Sequence, residues 1–444
     1  MKKIVFFIIL LYSTLVRAEQ EFRIISDAEI ENKLKAFMSP LVRAANLDPS
    51  NIRIRIIADS SLNAFVTNGV DMYINSGLLI KFANDPNVLY GVMAHEIAHI
   101  YAGHLIQKRG EAERMTMLAA GGTLLGLASI LAGAPDAAGA FVALASVNAA
   151  GKTMLQHSRE HETEADKIAV ELLYRTHNNG SGLLKFFKFM EQRDSQYNPD
   201  PYLLTHPLSA TRYFSVQNSI KEKLGKFGDN ITPQIRADFI RMATKLDAFL
   251  LLPNKVLSNY KGNNYATSIA NFRLGKLNLA VKQLDIVIAK EKEDPYLYEL
   301  RAQYYFENGK FLQAIDNYNK ALSFIPKDKI IKVELAAAQI NEAKNKQDSI
   351  MLNSAISTLN QVVSTQNDNI MAYFMLSRAY GKLENQRKAI VSLADYYFYL
   401  GAYKKSNILA NKVLKMSSPG SREYIRASDI VNLTNDIKNG ERDW

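Results

Sequence analysis

The sequence has 444 residues, with 54 Lys and Arg against 44 Asp and Glu and a formal net charge of +10. This length fits two or three ordinary domains, since one domain usually takes roughly 100–200 residues. The apolar fraction of 48% and the charged fraction of 22% argue against wholesale disorder and against a polytopic membrane protein. The absence of cysteine excludes disulfides, thiolate metal sites, cysteine nucleophiles and lipid anchors on cysteine.

Residues 1–18 are predicted to be a cleaved signal peptide. Two lysines precede an apolar run over residues 4–11, and residues 16–18 form a plausible small-residue cleavage site. The apolar run is too short to span a bilayer comfortably. We therefore expect a mature chain that begins near Glu19 in the bacterial periplasm. An uncleaved signal anchor is the alternative, because an arginine precedes the last residue of the cleavage site.

The pattern of apolar residues predicts that residues 19–250 form a mixed domain of helices and a small sheet. Apolar residues recur with helical spacing in some segments and alternate with polar ones in others, as in half-buried strands. The predicted elements are a helix over residues 27–45, a strand over 52–57, a strand, turn and strand over 63–74, and a helix from Asp85-Pro86 through Leu105. The turn between the two paired strands is predicted at Asn68-Gly69.

His95, Glu96 and His99 form an HExxH pattern in the middle of the last of these helices. Two histidines four residues apart lie about 40° apart around a helix, so both imidazoles can bind one ion. Glu96 lies close enough to take a proton from water on that ion. Zinc suits such ligands, and a catalytic zinc has three protein ligands with one open position. His104, about 140° further round a continuing helix than His99, is interpreted as a helix-end or hydrogen-bonding residue.

Residues 115–150 carry a single charge, Asp136, and many glycines. The first part alone is nearly long enough to cross a membrane. Pro135 and Asp136 divide the segment into two short pieces, which favours a hairpin of closely packed helices. Insertion into a membrane surface and a true span are the alternatives.

The third ligand is expected in the acidic segment from Ser158 to Asp166. Glu162 and Asp166 are four residues apart on one helical face, so Glu162 could bind the ion while Asp166 orients a ligand histidine. Composition alone does not choose among Glu160, Glu162 and Glu164. For Glu160 and Glu164 the simpler interpretation is that they lie on a charged, solvent-exposed face of the helix.

Residues 257–444 are predicted to form a second domain of repeated helical pairs. Gly275, Ala280 and Leu284 recur 34 residues later as Gly309, Ala314 and Tyr318, and degenerate copies follow with Ala355, Leu359 and Val362 and with Gly401, Ser406, Ala410 and Val413. This spacing is typical of the tetratricopeptide repeat, whose stacked pairs make a concave binding surface. From residue 251 onward, 27 Lys and Arg stand against 19 Asp and Glu, a net +8 that favours acidic partners or anionic headgroups. We expect no nucleic-acid partner.

HExxH followed by S-R-x-x-E-x-E-A-D resembles the M48 family of zinc metallopeptidases. The resemblance to periplasmic members of this family that carry tetratricopeptide repeats extends over nearly the whole mature chain, including Leu62 to Val66, Gly103 to Leu105, and Thr205 to Leu208. It implies that Glu162 is the third zinc ligand and that Asp166 supports the ligand set from outside it. It also implies that His206 lies on a loop that covers the site and supplies a further ligand, which holds the enzyme latent. Arg212 is a candidate partner for a carboxylate near the site.

The sequence therefore predicts an α+β, mostly helical protein: a zincin-like metallopeptidase domain with a small sheet, followed by a tetratricopeptide-repeat α-solenoid. We expect a zinc endopeptidase with one Zn²⁺ per chain, bound by His95, His99 and Glu162, in which Glu96 is the catalytic base. The strand at residues 63–66 could bind an extended substrate at the sheet edge.

The expected partners are unfolded or misassembled polypeptides and the machinery that assembles outer-membrane β-barrels. The second role follows from a resemblance to periplasmic family members with tetratricopeptide repeats, and residues 115–150 offer a membrane-surface contact. Two alternatives stay open: a chaperone or adaptor whose zinc site is latched, and a membrane-embedded protease.

Overall fold

A computed structural model of the protein describes residues 23–67, 71–104, 159–193, 202–203 and 206–438. The chain divides into two compact units between Leu251 and Leu252. The predicted signal peptide and the predicted hairpin at 115–150 lie outside the described residues. Within the described ranges, no helix is both long enough and apolar enough to cross a bilayer.

The first unit combines a small sheet with seven described helices. Its elements are β1 (Ile24–Ile25), α1 (Ala28–Ala44), β2 (Arg53–Ile57), β3 (Ala64–Thr67), β4 (Asp71–Asn75), α2 (Ser76–Lys81), α3 (Pro86–Ala102), α4 (159–175, the described part), α5 (Ser181–Glu191), α6 (Ala210–Lys223) and α7 (Pro233–Leu250). The α+β, mostly helical class predicted from the sequence is confirmed.

The sheet has the strand order β1-β2-β4-β3. β3 and β4 pair antiparallel, with Ala64 opposite Ile74 and Thr67 opposite Asp71, as expected for two strands joined by a short turn. The predicted turn residues lie outside the described ones. β2 runs parallel to β4, and β1 antiparallel to β2. β3 is therefore an edge strand of the described sheet, and it packs against α3.

The helix α3 runs through the centre of this unit. Pro86 begins it, and every residue from Pro86 to His99 is buried, as expected for a helix that is apolar all round. Two glycines allow α3 to approach α5 closely. A Cβ at Gly91 would overlap Leu183 on α5, and a Cβ at Gly182 would overlap the backbone of Asn87 on α3.

The prediction that this helix continues through Leu105 is wrong. α3 ends at Ala102, because Gly103 adopts the left-handed conformation, with φ of 66°, and caps the helix. The chain leaves the helix axis at that residue. His104 consequently does not occupy the position that a continuing helix would give it.

The second unit is a chain of helices in which each packs against the next. They are α8 (Pro253–Asn259), α9 (Asn264–Arg273), α10 (Leu277–Ile288), α11 (Pro295–Glu307), α12 (Phe311–Phe324), α13 (Lys329–Glu342), α14 (Ser349–Thr365), α15 (Ile370–Lys382), α16 (Gln386–Tyr399), α17 (Tyr403–Met416) and α18 (Arg422–Lys438). This is the α-solenoid predicted for the repeat region.

The repeat positions found in the sequence have clear structural roles. Gly275, Gly309 and Gly401 all have positive φ, between 71° and 76°, in the turns between successive helices. The small and apolar repeat positions that follow them are buried between neighbouring helices. The turn between α15 and α16 uses Glu384 with φ of 61° in place of glycine, so the glycine pattern does not mark it.

Candidate metal centre

α3 and α4 provide the side chains at the centre of the site. His95 and His99 lie one turn apart on α3, and both are buried. On α4, Ala165, Ala169 and neighbouring apolar residues belong to the same hydrophobic core as α3. Packing of that apolar face turns Glu162, which is fully buried, toward the two histidines.

The nitrogen and oxygen atoms of these side chains converge on one point. Nε2 of His95 lies 3.1 Å from Nε2 of His99 and 3.2 Å from Oε2 of Glu162, and Nε2 of His99 lies 3.3 Å from Oε1 of Glu162. Atoms that surround a tetrahedral zinc at about 2.05 Å are about 3.3 Å from one another. The three side chains are therefore spaced as ligands of one small divalent cation.

His206 is the fourth member of this cluster. Its Nδ1 lies 3.1 Å from both carboxylate oxygens of Glu162, and the ligand atoms of all four residues lie within 4.8 Å of one another. The His206 ring stacks on Tyr202, with ring centres 4.6 Å apart. His206 belongs to the short segment before α6, so the cluster includes a residue from outside the two central helices.

Glu96 lies beside the cluster and is 1% exposed. Its Oε1 is 3.6 Å from Nε2 of His206, a nitrogen that is buried and has no hydrogen-bond partner among the described residues. Burial and the negative charge of Glu96 raise the pKa of Tyr202 well above its ordinary value, which keeps that phenol protonated. Glu96 is thus a buried carboxylate next to the converging ligand atoms.

A second set of contacts, made by Asp166 and Arg212, supports the cluster from outside. Oδ1 of Asp166 lies 3.1 Å from Nδ1 of His95, on the side of the ring that faces away from Glu162. Arg212 donates two hydrogen bonds to Asp166, at 2.7 and 2.9 Å, and its Nη1 lies 3.2 Å from Glu162. The same Nη1 donates to the carbonyl of Pro207 at 2.7 Å. Arg212 therefore ties both acidic side chains to the segment that carries His206.

Burial and mutual contacts set the charges of the cluster. Burial would lower the pKa of His95, but hydrogen bonds to Asp166 and Glu162 raise it to about 10. Burial lowers the pKa of His99 to about 3, although its hydrogen bond to Glu162 acts to raise that pKa. Burial would raise the pKa of Glu162, but the charge of His206 and hydrogen bonds to the three histidines hold it far below its ordinary value. A divalent cation can take the place of the proton on His95.

These residues fit a bound zinc ion. Three imidazoles and one carboxylate are ligands that zinc prefers, and the ligand atoms have the spacing of a tetrahedral site. A buried His206 nitrogen without a hydrogen bond is expensive unless the site gains a further partner. The site residues predicted from the sequence, His95, Glu96, His99, Glu162, Asp166, His206 and Arg212, all lie together here.

Two further histidines, His104 and His161, also lie at this site. His104 is fully buried against His99, and His161 stacks on His104 with ring centres 4.4 Å apart. His161 and His177 have no spacing argument in the sequence, and His177 is in fact exposed. The signal that could have found His104 is Gly103, whose helix-ending conformation turns the next residue back toward His99.

Comparison with known proteins identifies the class of the first unit. Residues 28–220 match the model of peptidase family M48. Together with the cluster of His95, His99, Glu162 and His206, this match defines an M48-type metallopeptidase domain.

Nearly the whole chain is homologous to bacterial proteins named as proteases. It is 22% identical to the beta-barrel assembly-enhancing protease of Escherichia coli (strain K12) over 420 residues. The matched region covers 91% of this chain and 82% of the relative. A putative beta-barrel assembly-enhancing protease of Vibrio cholerae is 29% identical over 209 residues, 45% of this chain and 41% of the relative. A solved structure of a human IFIT1 dimer with PPP-AAAA covers 68% of this chain and 81% of that chain, at 16% identity and a TM-score of 0.32, which is too low to support an inference.

Proposed function

We propose that the protein is a zinc-dependent endopeptidase of the bacterial periplasm that hydrolyses unfolded or misassembled outer-membrane proteins. The observation that carries the proposal is the convergence of His95, His99 and Glu162 at tetrahedral spacing, with the buried carboxylate of Glu96 beside them. One ion per chain is expected, because the four residues of the cluster surround a single point.

A zinc ion held by His95, His99 and Glu162 would supply Lewis-acid chemistry to a peptide carbonyl and to the attacking water. Glu96 takes a proton from the attacking water and returns it to the leaving amine, which is the usual work of a positioned carboxylate in general acid and base catalysis. Asp166 orients the His95 ring through Nδ1, and Arg212 fixes Asp166 with two hydrogen bonds. The buried surroundings of Glu96 exclude bulk water and keep its proton transfer local.

The edge strand β3 is the proposed binding site for substrate. β3 packs against α3 and pairs with β4 on one side, so an extended peptide could add as a further strand on the other. Strand addition needs an accessible backbone, which favours unfolded polypeptides. Successive backbone N–H groups along a strand point to opposite sides. The N–H of one of the two residues Phe65 and Val66 therefore faces β4, and the N–H of the other faces the open edge. Proline at the residue whose N–H faces the open edge should raise KM without changing the zinc content. Proline at the residue whose N–H faces β4 should disrupt the pairing of β3 with β4.

The second unit, called the repeat unit below, is proposed to bind the machinery that assembles outer-membrane β-barrels. The relatives are named for enhancing that assembly, and solenoids of helical pairs present extended binding surfaces. The net charge of +8 from residue 251 onward favours an acidic partner surface. Docking that depends on charge should weaken as salt rises from 50 to 300 mM, because exposed charges are screened.

A second candidate function is a chaperone or adaptor whose peptidase is held inactive. The observation that favours it is the position of His206, which contacts Glu162 and lies next to Glu96. A fourth protein ligand takes the coordination position that water and substrate need. In this form the repeat unit acts without proteolysis until the His206 segment moves away.

The test is cleavage of an unfolded protein by residues 19–444 at matched zinc content. We expect His206→Ala to cleave faster than wild type and Glu96→Gln to be inactive while it still binds zinc. His177→Asn is the matched control, because His177 is exposed, and asparagine tolerates the positive φ at this position. Inactivity of all the zinc-bound variants would favour the adaptor. Equal activity of wild type and Glu96→Gln would refute the proposed mechanism.

A further inference from the structure

His104 comes close to the metal centre because the helix before it stops. Gly103 has φ of 66° and ends α3, and a side chain at this position would meet no atom within 4 Å. The glycine is therefore required by the turn of the backbone rather than by lack of space. The chain turns at Gly103, and His104 packs back over the last turn of α3, where it is fully buried beside His99.

The two ring nitrogens of His104 connect His99 to an acidic side chain. Nδ1 of His104 lies 3.0 Å from Nδ1 of His99, and Nε2 of His104 lies 3.2 Å from Oε2 of Glu164. His161 covers one face of the His104 ring, at 4.4 Å and with the rings inclined by 17°. Glu164 is on the exposed side of α4, so the three residues form a line from the metal centre to the surface.

The order of donors and acceptors in this line follows from its outer end. The Glu164 carboxylate can only accept, so His104 donates from Nε2. Nδ1 of a neutral His104 then carries the lone pair and accepts a hydrogen bond from Nδ1–H of His99. When a metal ion replaces the Nε2 proton that faces Glu162, this leaves the lone pair of His99 on Nε2, the atom that lies 3.1 Å from His95 Nε2 and 3.3 Å from Glu162. Both nitrogens of His104 are used, so in this arrangement His104 is not itself a ligand.

We propose that His104, supported by Glu164, is a positioning residue that fixes the tautomer and ring orientation of His99 for zinc binding. This inference rests on the proposed function. It assigns to His99 the kind of support that Asp166 gives to His95, but through a second imidazole instead of a direct carboxylate. Outer partners of this kind commonly change metal affinity by about 10- to 100-fold when they are lost.

The experiment measures zinc affinity of the mature full chain by competition with a chromophoric chelator, together with the absorption spectrum of the Co²⁺-loaded protein. We expect His104→Leu to weaken zinc binding by about 10- to 100-fold and to change the Co²⁺ spectrum. His104→Gln should restore most of the affinity, because its amide oxygen can accept from Nδ1–H of His99. Glu164→Gln should stay within about threefold of wild type, because an amide oxygen still accepts from His104.

Ile97→Val is the matched control for a loss of packing. Ile97 is fully buried on α3, and the change should lower the melting temperature of the chelated protein without changing its zinc affinity. The inference is overturned if His104→Leu binds zinc within twofold of wild type, or if glutamine restores nothing. If wild type itself binds no zinc, both this inference and the proposed function fail. If wild type binds zinc and His104→Leu binds it equally well, the inference alone fails.

Discussion

Replacing Arg212 by leucine should destabilise the peptidase unit more than any exposed arginine would. Arg212 is 6% exposed and contacts Asp166, Glu162 and the carbonyl of Pro207. Leucine would remove the guanidinium from both buried carboxylates and leave them with contacts from histidine imidazoles only. Breaking a buried ion pair by removing one partner costs about 3–5 kcal/mol. For a unit of this size each kcal/mol lowers the melting temperature by about 2–4 °C, so the expected decrease is about 6–20 °C.

Arg212→Lys separates the charge from the geometry of the guanidinium. Lysine keeps the positive charge but loses the paired hydrogen bonds to Asp166, so we expect an intermediate cost of about 1–3 kcal/mol. Zinc should reduce the cost of both variants, because the cation partly neutralises Glu162. The measurement is calorimetric unfolding of the full chain with and without a chelator, following the transition that zinc shifts.

Arg175→Leu is the matched control for this prediction. Arg175 forms an exposed pair with Glu171 and an exposed hydrogen bond to the carbonyl of Ala44, and their loss should change the free energy of unfolding by no more than about 1–2 kcal/mol. If Arg212→Leu cost as little as Arg175→Leu, or if lysine replaced Arg212 fully, the role assigned to the buried guanidinium would be refuted.

Two further substitutions test how the peptidase unit is held together. Lys245→Met should lower the free energy of unfolding by about 3 kcal/mol at pH 7, because the buried ammonium group contacts both Asp27 and Glu29. Burial would raise the pKa of Glu29, but Lys245 and Arg241 hold it below its ordinary 4.5, so this stabilisation is present above pH 4.5 and is lost as pH falls through the folded pKa. Urea unfolding should therefore show the deficit of the variant shrinking toward pH 4, and a deficit independent of pH would contradict it. Gly182→Ala should cost at least about 1–3 kcal/mol and lower zinc content, since its Cβ would overlap the backbone of α3. Gly381→Ala in α15 is its control and should stabilise by about 0.5–1 kcal/mol, since a Cβ there meets nothing; a similar effect of both would refute the close-approach argument.

The positions of the residues at the centre of the candidate site could be predicted because they follow local periodicity. His95 and His99 are four residues apart on a helix, and Glu162 and Asp166 repeat that spacing on α4. The choice of Glu162 over its acidic neighbours needed the family resemblance. The structure gives the physical reason, since Glu162 is fully buried while Glu160 and Glu164 are exposed.

The rest of the site depends on where the backbone changes direction, which periodicity does not report. His104 was placed about 140° away from His99 because the helix was expected to continue, whereas Gly103 ends it. His206 has no periodic partner at all and came from resemblance alone. In the repeat unit the glycine turns were visible in the sequence, but Glu384 fills the same kind of turn without glycine.

The positions of the cluster residues along the chain also determine at which stage of folding the site can form. His95 and Glu162 are 67 residues apart, and Glu162 and His206 a further 44. Bringing the first pair together in a disordered chain costs about 4 kcal/mol of loop-closure entropy, so an unfolded chain offers zinc only the two histidines of α3. An ion bound by all four residues would therefore link these distant segments and stabilise the folded unit over the unfolded chain. The complete cluster forms only when α3 and α4 have docked, so a partly folded chain does not present it.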